Sequence, residues 1–534
     1  MFRLFFLLMV LCAGCQKSSA PSIQQCLRIN IGKDPQSLDP RKARDLVDIT
    51  ITHMLFEGLT RTSKSGEIEM AIARDVEVSE DGTRYLFHLR NTVWSNGDPV
   101  TAFDFAESWR SLLDPHFPSD VSYQLYAIKN GRKAKLGEVG LDQVGIQTPD
   151  ASTLIVELEQ PIHYFLELVS MPTFFPIPSK IKNPNWALSP ETYVGNGPFL
   201  LDSWKHGDEI HVSKNNRYWE AKKVQLQGID LLMMTGDTEM QMFEEGKIDW
   251  AGSPLSTIPV DAVRTLRAKE KLHISPFSGT CFLRLNTAEK IGEKKNPLGN
   301  PLFRKALSFC LNRKNITDHI LQGGQMQALS LVPPGMGLSE KGYFHDDHLD
   351  SAKSLLTDAL LQLDLTLATL EPIRLSFIYN ERYVTIAQAI QQQWEAGLGI
   401  RVELEAIEPK TFFKRISQRE FQLAAGSWTA DFNDPINFLE VFKYKDASTN
   451  NTNWENGKYI DLLNQSALCR DSEERKRLLR EAEQILMEQM PIIPIFHFAL
   501  NYLQGDGLAE VALSPLGQID FRWAHFDNPS LEKR

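Results

Sequence analysis

The residues that could do chemistry in this chain are many, but few of them sit at a spacing that chemistry requires. The 12 histidines are scattered. His206 and His211 lie five apart across an expected hairpin turn, and no close acidic partner makes them a convincing metal site. His497, within Ile495-Phe496-His497-Phe498, reads as a cleft or core histidine rather than a base. No G-x-x-x-x-G-K-[ST], G-x-S-x-G or H-E-x-x-H spelling occurs, so phosphate cradling, a nucleophile elbow and a helical zinc pair are not signalled. Gly195-Asn196-Gly197 lacks the third glycine of a dinucleotide loop and runs into Pro198 where a helix should open. Carboxylate pairs such as Glu244-Glu245 and Glu473-Glu474 read as solvated helix faces. The expectation is a protein without catalytic residues, metal or cofactor. A hydrolase whose residues converge only in space is the alternative.

Composition sets the outer bounds. A chain of 534 residues that is 42% hydrophobic and 23% charged has ample material for several domains' cores. The formal charge of −11, with no long basic run, argues against non-specific nucleic-acid binding.

The amino terminus departs from that average. Met1-Phe2-Arg3 precedes an apolar run, Leu4 to Leu11, and Cys12-Ala13-Gly14-Cys15 follows. A charged start, a short apolar stretch and small residues form an export signal, and the run is far short of the ~20 residues that span a bilayer. Small residues directly before a cysteine resemble a bacterial lipobox, although Cys12 stands where that pattern has leucine. Residues 1–14 are therefore read as a signal peptide, Cys15 as the lipidated first residue and 15–25 as a tether. The C-x-x-C of Cys12 and Cys15 is then accidental. Cys26, Cys281, Cys310 and Cys469 are too widely spaced to suggest a metal site or to select a disulfide.

Behind these residues the periodicities define the elements that must position any site. Leu27–Ile31, Tyr85–Leu89 and Leu154–Leu158 alternate like strands. Thr101 with Asp104 forms the start of a helix, with Ala102, Phe103, Ala106, Trp109, Leu112 and Leu113 at helical spacing behind it. Gly195–Gly279 reads as strands and hairpins. Asn300-Pro301 opens another helix. From Ile373 the pattern alternates strand, helix (Val384 to Trp394), strand (Ile400 to Leu404), helix (Thr411–Arg419) and strand (Phe421–Ser427), which predicts a parallel, doubly wound α/β unit. Asp471 and Glu474 open a last long helix, and Pro491–Leu503 suggests a return to the first part of the fold.

Four segments carry a family resemblance. They are Trp94–Phe105; Gly195–Phe199 with Asn216–Trp219; Asn300–Leu307 with Asn312-Arg313; and Trp428–Pro435. In this order, with Ser37–Pro40 and Leu55–Leu59, they resemble the oligopeptide-binding proteins of bacterial ABC importers. The resemblance implies an α/β, two-lobed periplasmic-binding-protein fold of three domains, with a hinge-closing cleft between the lobes. The corresponding boundaries are 26–64, 190–280 and 505–534 for the core of lobe I, 65–189 for its inserted domain and 281–504 for lobe II. It also implies short peptides as ligands, permease and ATPase subunits as partners, a membrane attachment through lipid alone and a monomer.

By the same resemblance Asp431 pairs with the peptide's α-ammonium, and Trp428, Thr429 and Ala430 flank the peptide through backbone hydrogen bonds. The other reading of Asp431 is a turn aspartate before Asn433-Asp434-Pro435. Arg44, Asp45 and Leu46 face the ligand from the other lobe, where the family carries Glu-Gly. Tyr123 or Tyr126 supplies an aromatic wall. The family's basic residues for the ligand carboxylate fall on Ala425, Ile416 and Tyr383, with Arg415, Arg419 and Arg382 as neighbours. The expectation is a firmly held amino end and a loosely held carboxyl end, compatible with cell-wall peptides. Murein peptides, dipeptides, nickel complexes and sugars are the alternatives within the class.

Overall fold

The computed structural model describes residues 26–181, 183 and 185–527. The signal, the tether and Cys15 lie outside the described residues. Within them no helix is long and apolar enough to cross a membrane.

An 11-stranded mixed sheet runs through both lobes. At one end Ile373–Ile378 lies between Val402–Ile407 and Leu423–Thr429, parallel to both. The helices Glu381–Leu398 and Pro409–Gln418 make the two crossovers, as the alternating periodicity predicts. At the other end Cys26–Asn30 pairs in parallel with Gly228–Leu232, followed by the antiparallel Glu209–Lys214 and Phe199–Lys205. Two 13-residue strands, His273–Leu285 and Ile492–Gln504, join the ends. They pair at 273–276 with 499–502 and again at 280–284 with 492–497, with a register break between Pro276 and Thr280. Inside the break, the Ser278 N–H donates to the Pro515 carbonyl (2.7 Å), and the Ser278 carbonyl accepts from the Ala430 N–H (2.8 Å).

Burial follows this division. One core cluster extends from Leu27 to Leu255 and resumes at Leu508–Ala524. It includes the face of a separate four-stranded antiparallel sheet (Ala73–Val78, Arg84–Leu89, Thr153–Glu157, Ile146–Asp150) and the helix Ala102–Leu113. Two further clusters lie between Cys281 and Phe496. The local signals act as their chemistry requires. The Thr101 N–H donates to Asp104 Oδ2 (2.8 Å), and Asn300 accepts from the Leu302 N–H (2.8 Å) at a helix opened by Pro301.

One expectation needs correction. The region 195–279 is not only strands and hairpins, because helices occupy Gly236–Glu244 and Val260–Ala268. The second presents Val263 and Leu266 to a small core with Ile248 and Leu503. It opens directly after Pro259, which fits the proline preference of helix starts.

Candidate functional site

A cleft of about 500 Å³ lies where the lobes face each other. Three stretches of chain that are remote in sequence meet in it. Ala43–Val47 enters from lobe I, Val121–Gln124 from the inserted segment and Thr429–Asp431 from lobe II. Of the residues selected from sequence, Arg44, Asp45, Leu46, Tyr123, Thr429, Ala430 and Asp431 therefore converge on one space.

Asp431 follows the end of the Leu423–Thr429 strand, with its side chain exposed to the cleft. Asn437 fixes its approach: Asn437 Oδ1 accepts from Trp428 Nε1 at 2.8 Å and from the Asp431 N–H at 3.4 Å. The enclosing walls raise the Asp431 pKa by desolvation, against the Asn437 hydrogen bond. No basic side chain pairs with it among the described residues. Tyr123, 51% exposed, faces the same space, and its hydroxyl pKa is raised by burial and by the Asp431 charge. The turn-aspartate reading of this sequence belongs to Asp434, which caps Ile436 (2.9 Å) and pairs with Arg475 (2.9 Å).

The lobe I side is already occupied by its own contacts. Asp45 Oδ1 caps the helix Leu46–Leu55 by accepting from Val47 and Asp48 N–H groups, and its Oδ2 takes Lys33 at 2.6 Å. Burial would raise its pKa, but Lys33 and the two amides together hold it below the ordinary value. Arg44 pairs with Asp120 at 2.6 Å. The segment 43–45 is not a strand; it is the extended approach to a helix.

The other selected residues lie elsewhere. Trp428 is half-buried against the core of lobe II beside the cleft. Tyr126 packs against the core of lobe I. Tyr383 packs against the core between the two lobe II crossovers, and burial pushes its hydroxyl up to about 12. Arg415 is paired with Glu405 (2.7 Å) on an outer helix. His497 is 2% exposed and shares a hydrogen bond with Thr280 Oγ1 (2.9 Å), and burial lowers its pKa to about 3. It is a core histidine, and the site does not contain it. Sequence reading missed Lys33, Phe277 and Gln518 in the cleft and Asn437 behind Asp431. Of these only Asn437, six residues beyond Asp431, lay near a motif already singled out. A larger cavity of about 590 Å³ at the outer edge of lobe II contains none of the selected residues.

Across the Glu209–Lys214 strand and its neighbour, His211 Nδ1 lies 2.6 Å from Asp230 Oδ1, so the close acidic partner of His211 comes from the paired strand. Cys26 Sγ is 3.4 Å from the same carboxylate. These three donors could surround a metal ion, and the His211–Asp230 bond satisfies two of them without one.

Two lobes joined by crossing strands around an open cleft define a solute-binding protein of the periplasmic-binding-protein fold. The description "bacterial extracellular solute-binding proteins, family 5 Middle" matches residues 67–450, and the chain belongs to that family. It is 40% identical to the oligopeptide-binding protein OppA of Bacillus subtilis (strain 168), over 94% of this chain and 92% of that protein. Its fold superposes on the periplasmic murein tripeptide binding protein MppA in an unliganded open form with TM-score 0.82, at 28% identity, covering 95% and 98% of the two chains. It also superposes on Haemophilus influenzae OppA in complex with RPPGFSPFR, with TM-score 0.74, 26% identity and coverage of 95% and 99%. The first two of these carry peptide-binding names, and the third is a complex with a peptide.

Proposed function

We propose that this protein captures short peptides with a free amino terminus outside the cytoplasm and delivers them to the permease of an ABC importer. The observation that carries the reading is Asp431, whose backbone is held by Asn437 at the cleft wall and whose carboxylate has no cation partner among the described residues. A ligand ammonium completes it with a charge-assisted hydrogen bond and so fixes the ligand's register. The neighbouring Thr429 and Ala430 offer strand-end backbone, which recognises an extended peptide without reading its side chains. Closure about the register break at 276–280 then encloses the ligand. Tethering through lipidated Cys15, a monomeric state and ligand release without chemical change complete the proposal.

The test is calorimetric. Asp431→Asn should lower affinity for free-amine peptides by about 30-fold or more, the scale of breaking one enclosed charge pair. N-acetylated peptides should bind both proteins equally. Unchanged affinity for free-amine peptides overturns the site. Cleaved peptides in mass spectra after incubation would replace the binder with a peptidase.

A further inference from the structure

Several arginines of lobe II lie largely inside the protein, and the most enclosed of them are fully used. Arg304 donates to the carbonyls of Leu298 (2.7 Å), Gly299 (3.1 Å), Gln489 (3.0 Å) and Met490 (3.1 Å). Arg313 pairs with Asp346 (2.9 Å) and donates to the Pro494 carbonyl (2.6 Å) and Ser308 Oγ (2.7 Å). Arg284, on the crossing strand His273–Leu285, has neither a side-chain hydrogen bond nor an ion pair among the described residues, and its buried Nε has no acceptor. Its cation lies 5.2 Å from the Phe282 ring centroid. Burial lowers its pKa to about 10, so it remains a cation at neutral pH.

The surroundings keep this cation accessible. Arg284 is opposite Ala424 in the antiparallel ladder, and its guanidinium extends over Gly426. A Cβ at Gly426 would lie 2.3 Å from Arg284 Nη1, so a larger residue there would push the guanidinium aside. Arg284, Gly426 and Trp428 each retain partial exposure. Gly426 and Trp428 are two apart on one strand and therefore share a face. Trp428 in turn holds the Asn437 that positions Asp431. Among the described residues an unpaired cation and an unpaired carboxylate therefore lie toward the two ends of the Leu423–Thr429 strand.

The geometry points to Arg284 as the receptor for a carboxylate of the bound peptide, beside the end of the Leu423–Thr429 strand remote from Asp431. This rests on the peptide-binding reading above. A guanidinium presents two parallel donors that match a carboxylate, and an enclosed cation without a partner favours a ligand that supplies one. Gly426 and Asp431 are five residues apart, about 16 Å at ~3.3 Å per residue, so an extended ligand of about four or five residues bridges them. The charge absent from Ala425, Ile416 and Tyr383 is then offered from the adjacent strand. Where that carboxylate is the terminal one, the carboxyl end is held firmly rather than loosely.

The experiment compares wild type, Arg284→Gln and Arg284→Met by calorimetry with three probes. These are a pentapeptide of neutral side chains, its C-terminal amide, and the amide with glutamate at position 4 or 5. If the terminal carboxylate is the anion, wild type prefers the acid over the amide by tenfold or more, and both variants lose that preference. If an acidic side chain is the anion, wild type prefers the glutamate-bearing amide, and the variants lose that instead. Without ligand, Arg284→Met should melt at or above the wild-type temperature, since it removes an uncompensated charge, and should gain less from ligand. Variants that keep the wild-type preference ratios, while Asp431→Asn still loses free-amine peptides, overturn this inference alone. Failure of wild type to bind any of the peptides overturns the peptide-binding reading and this inference with it.

Discussion

Lobe I and the cleft handle enclosed charge in opposite ways. In lobe I, Glu57 is 1% exposed and accepts from Arg61 (3.0 Å) and Tyr218 (2.7 Å), with Trp219 and Arg522 completing its shell. Arg61 continues to Glu220 (2.7 Å) and Glu69 (2.6 Å). Burial would raise the Glu57 pKa, but the two guanidinium groups together lower it. Every charge there has its opposite within the chain. By contrast, Asp431 at the cleft and the partly enclosed Arg284 beside it on the adjoining strand have no ion-pair partner among the described residues. A closed network ties three remote segments of one lobe together, whereas an open pair of charges is completed only by something that arrives from outside. Enclosure is common to both; the missing partner is what marks a binding surface.

This contrast can be broken most forcefully at Glu57. Glu57→Ala leaves Arg61 and Arg522 enclosed without their shared carboxylate and should cost ~3–5 kcal/mol in urea unfolding. The fraction that remains folded should bind peptides as before. A loss below 1 kcal/mol would mean that the network is not structural. A smaller effect comes from pH. Because Asp431 has a raised pKa and must be ionised to hold an ammonium, protons compete with the ligand. Peptide affinity measured from pH 8 downward should therefore fall at a higher pH than an ordinary aspartate would give, and Asp431→Asn should flatten that part of the profile. The smallest effect belongs to Arg415, a paired and partly exposed charge outside the cleft. Arg415→Ala should change stability by less than about 1 kcal/mol and peptide affinity not measurably. A large loss of affinity there would redraw the site.

Local signals were the legible part of the fold. The capping pair Thr101 and Asp104, the Asn300-Pro301 start and the strand–helix alternation from Ile373 act over a few residues, and short-range spacing reports them directly. The helix Val260–Ala268 escaped because a nine-residue helix offers barely two turns of periodicity, and only Pro259 announced it. Asp431 was visible through a motif. Arg284 was not, because in Cys281-Phe282-Leu283-Arg284-Leu285 a lone arginine reads as the outward member of an alternating strand. Its enclosure arises from a pairing with Ala424 and Gly426, about 140 residues away along the chain. Likewise, Ala43–Val47 and Val121–Gln124 gain a common purpose only when the fold brings them to one cleft.

The position of Ser278 carries one more consequence. It lies within the register break of the crossing strands, donates to Pro515 on one side and accepts from Ala430, one residue before Asp431, on the other. The register break, the pivot of the proposed closure, is therefore hydrogen-bonded to the residue next to the proposed anchor. In a two-state picture the apparent dissociation constant is the intrinsic one divided by the fraction of molecules in the competent state. A change at this pivot should then scale the affinity of every peptide by one common factor, leaving the ranking of ligands untouched. Selectivity would reside in the cleft, while overall avidity for solute would be set by a serine that no ligand needs to touch.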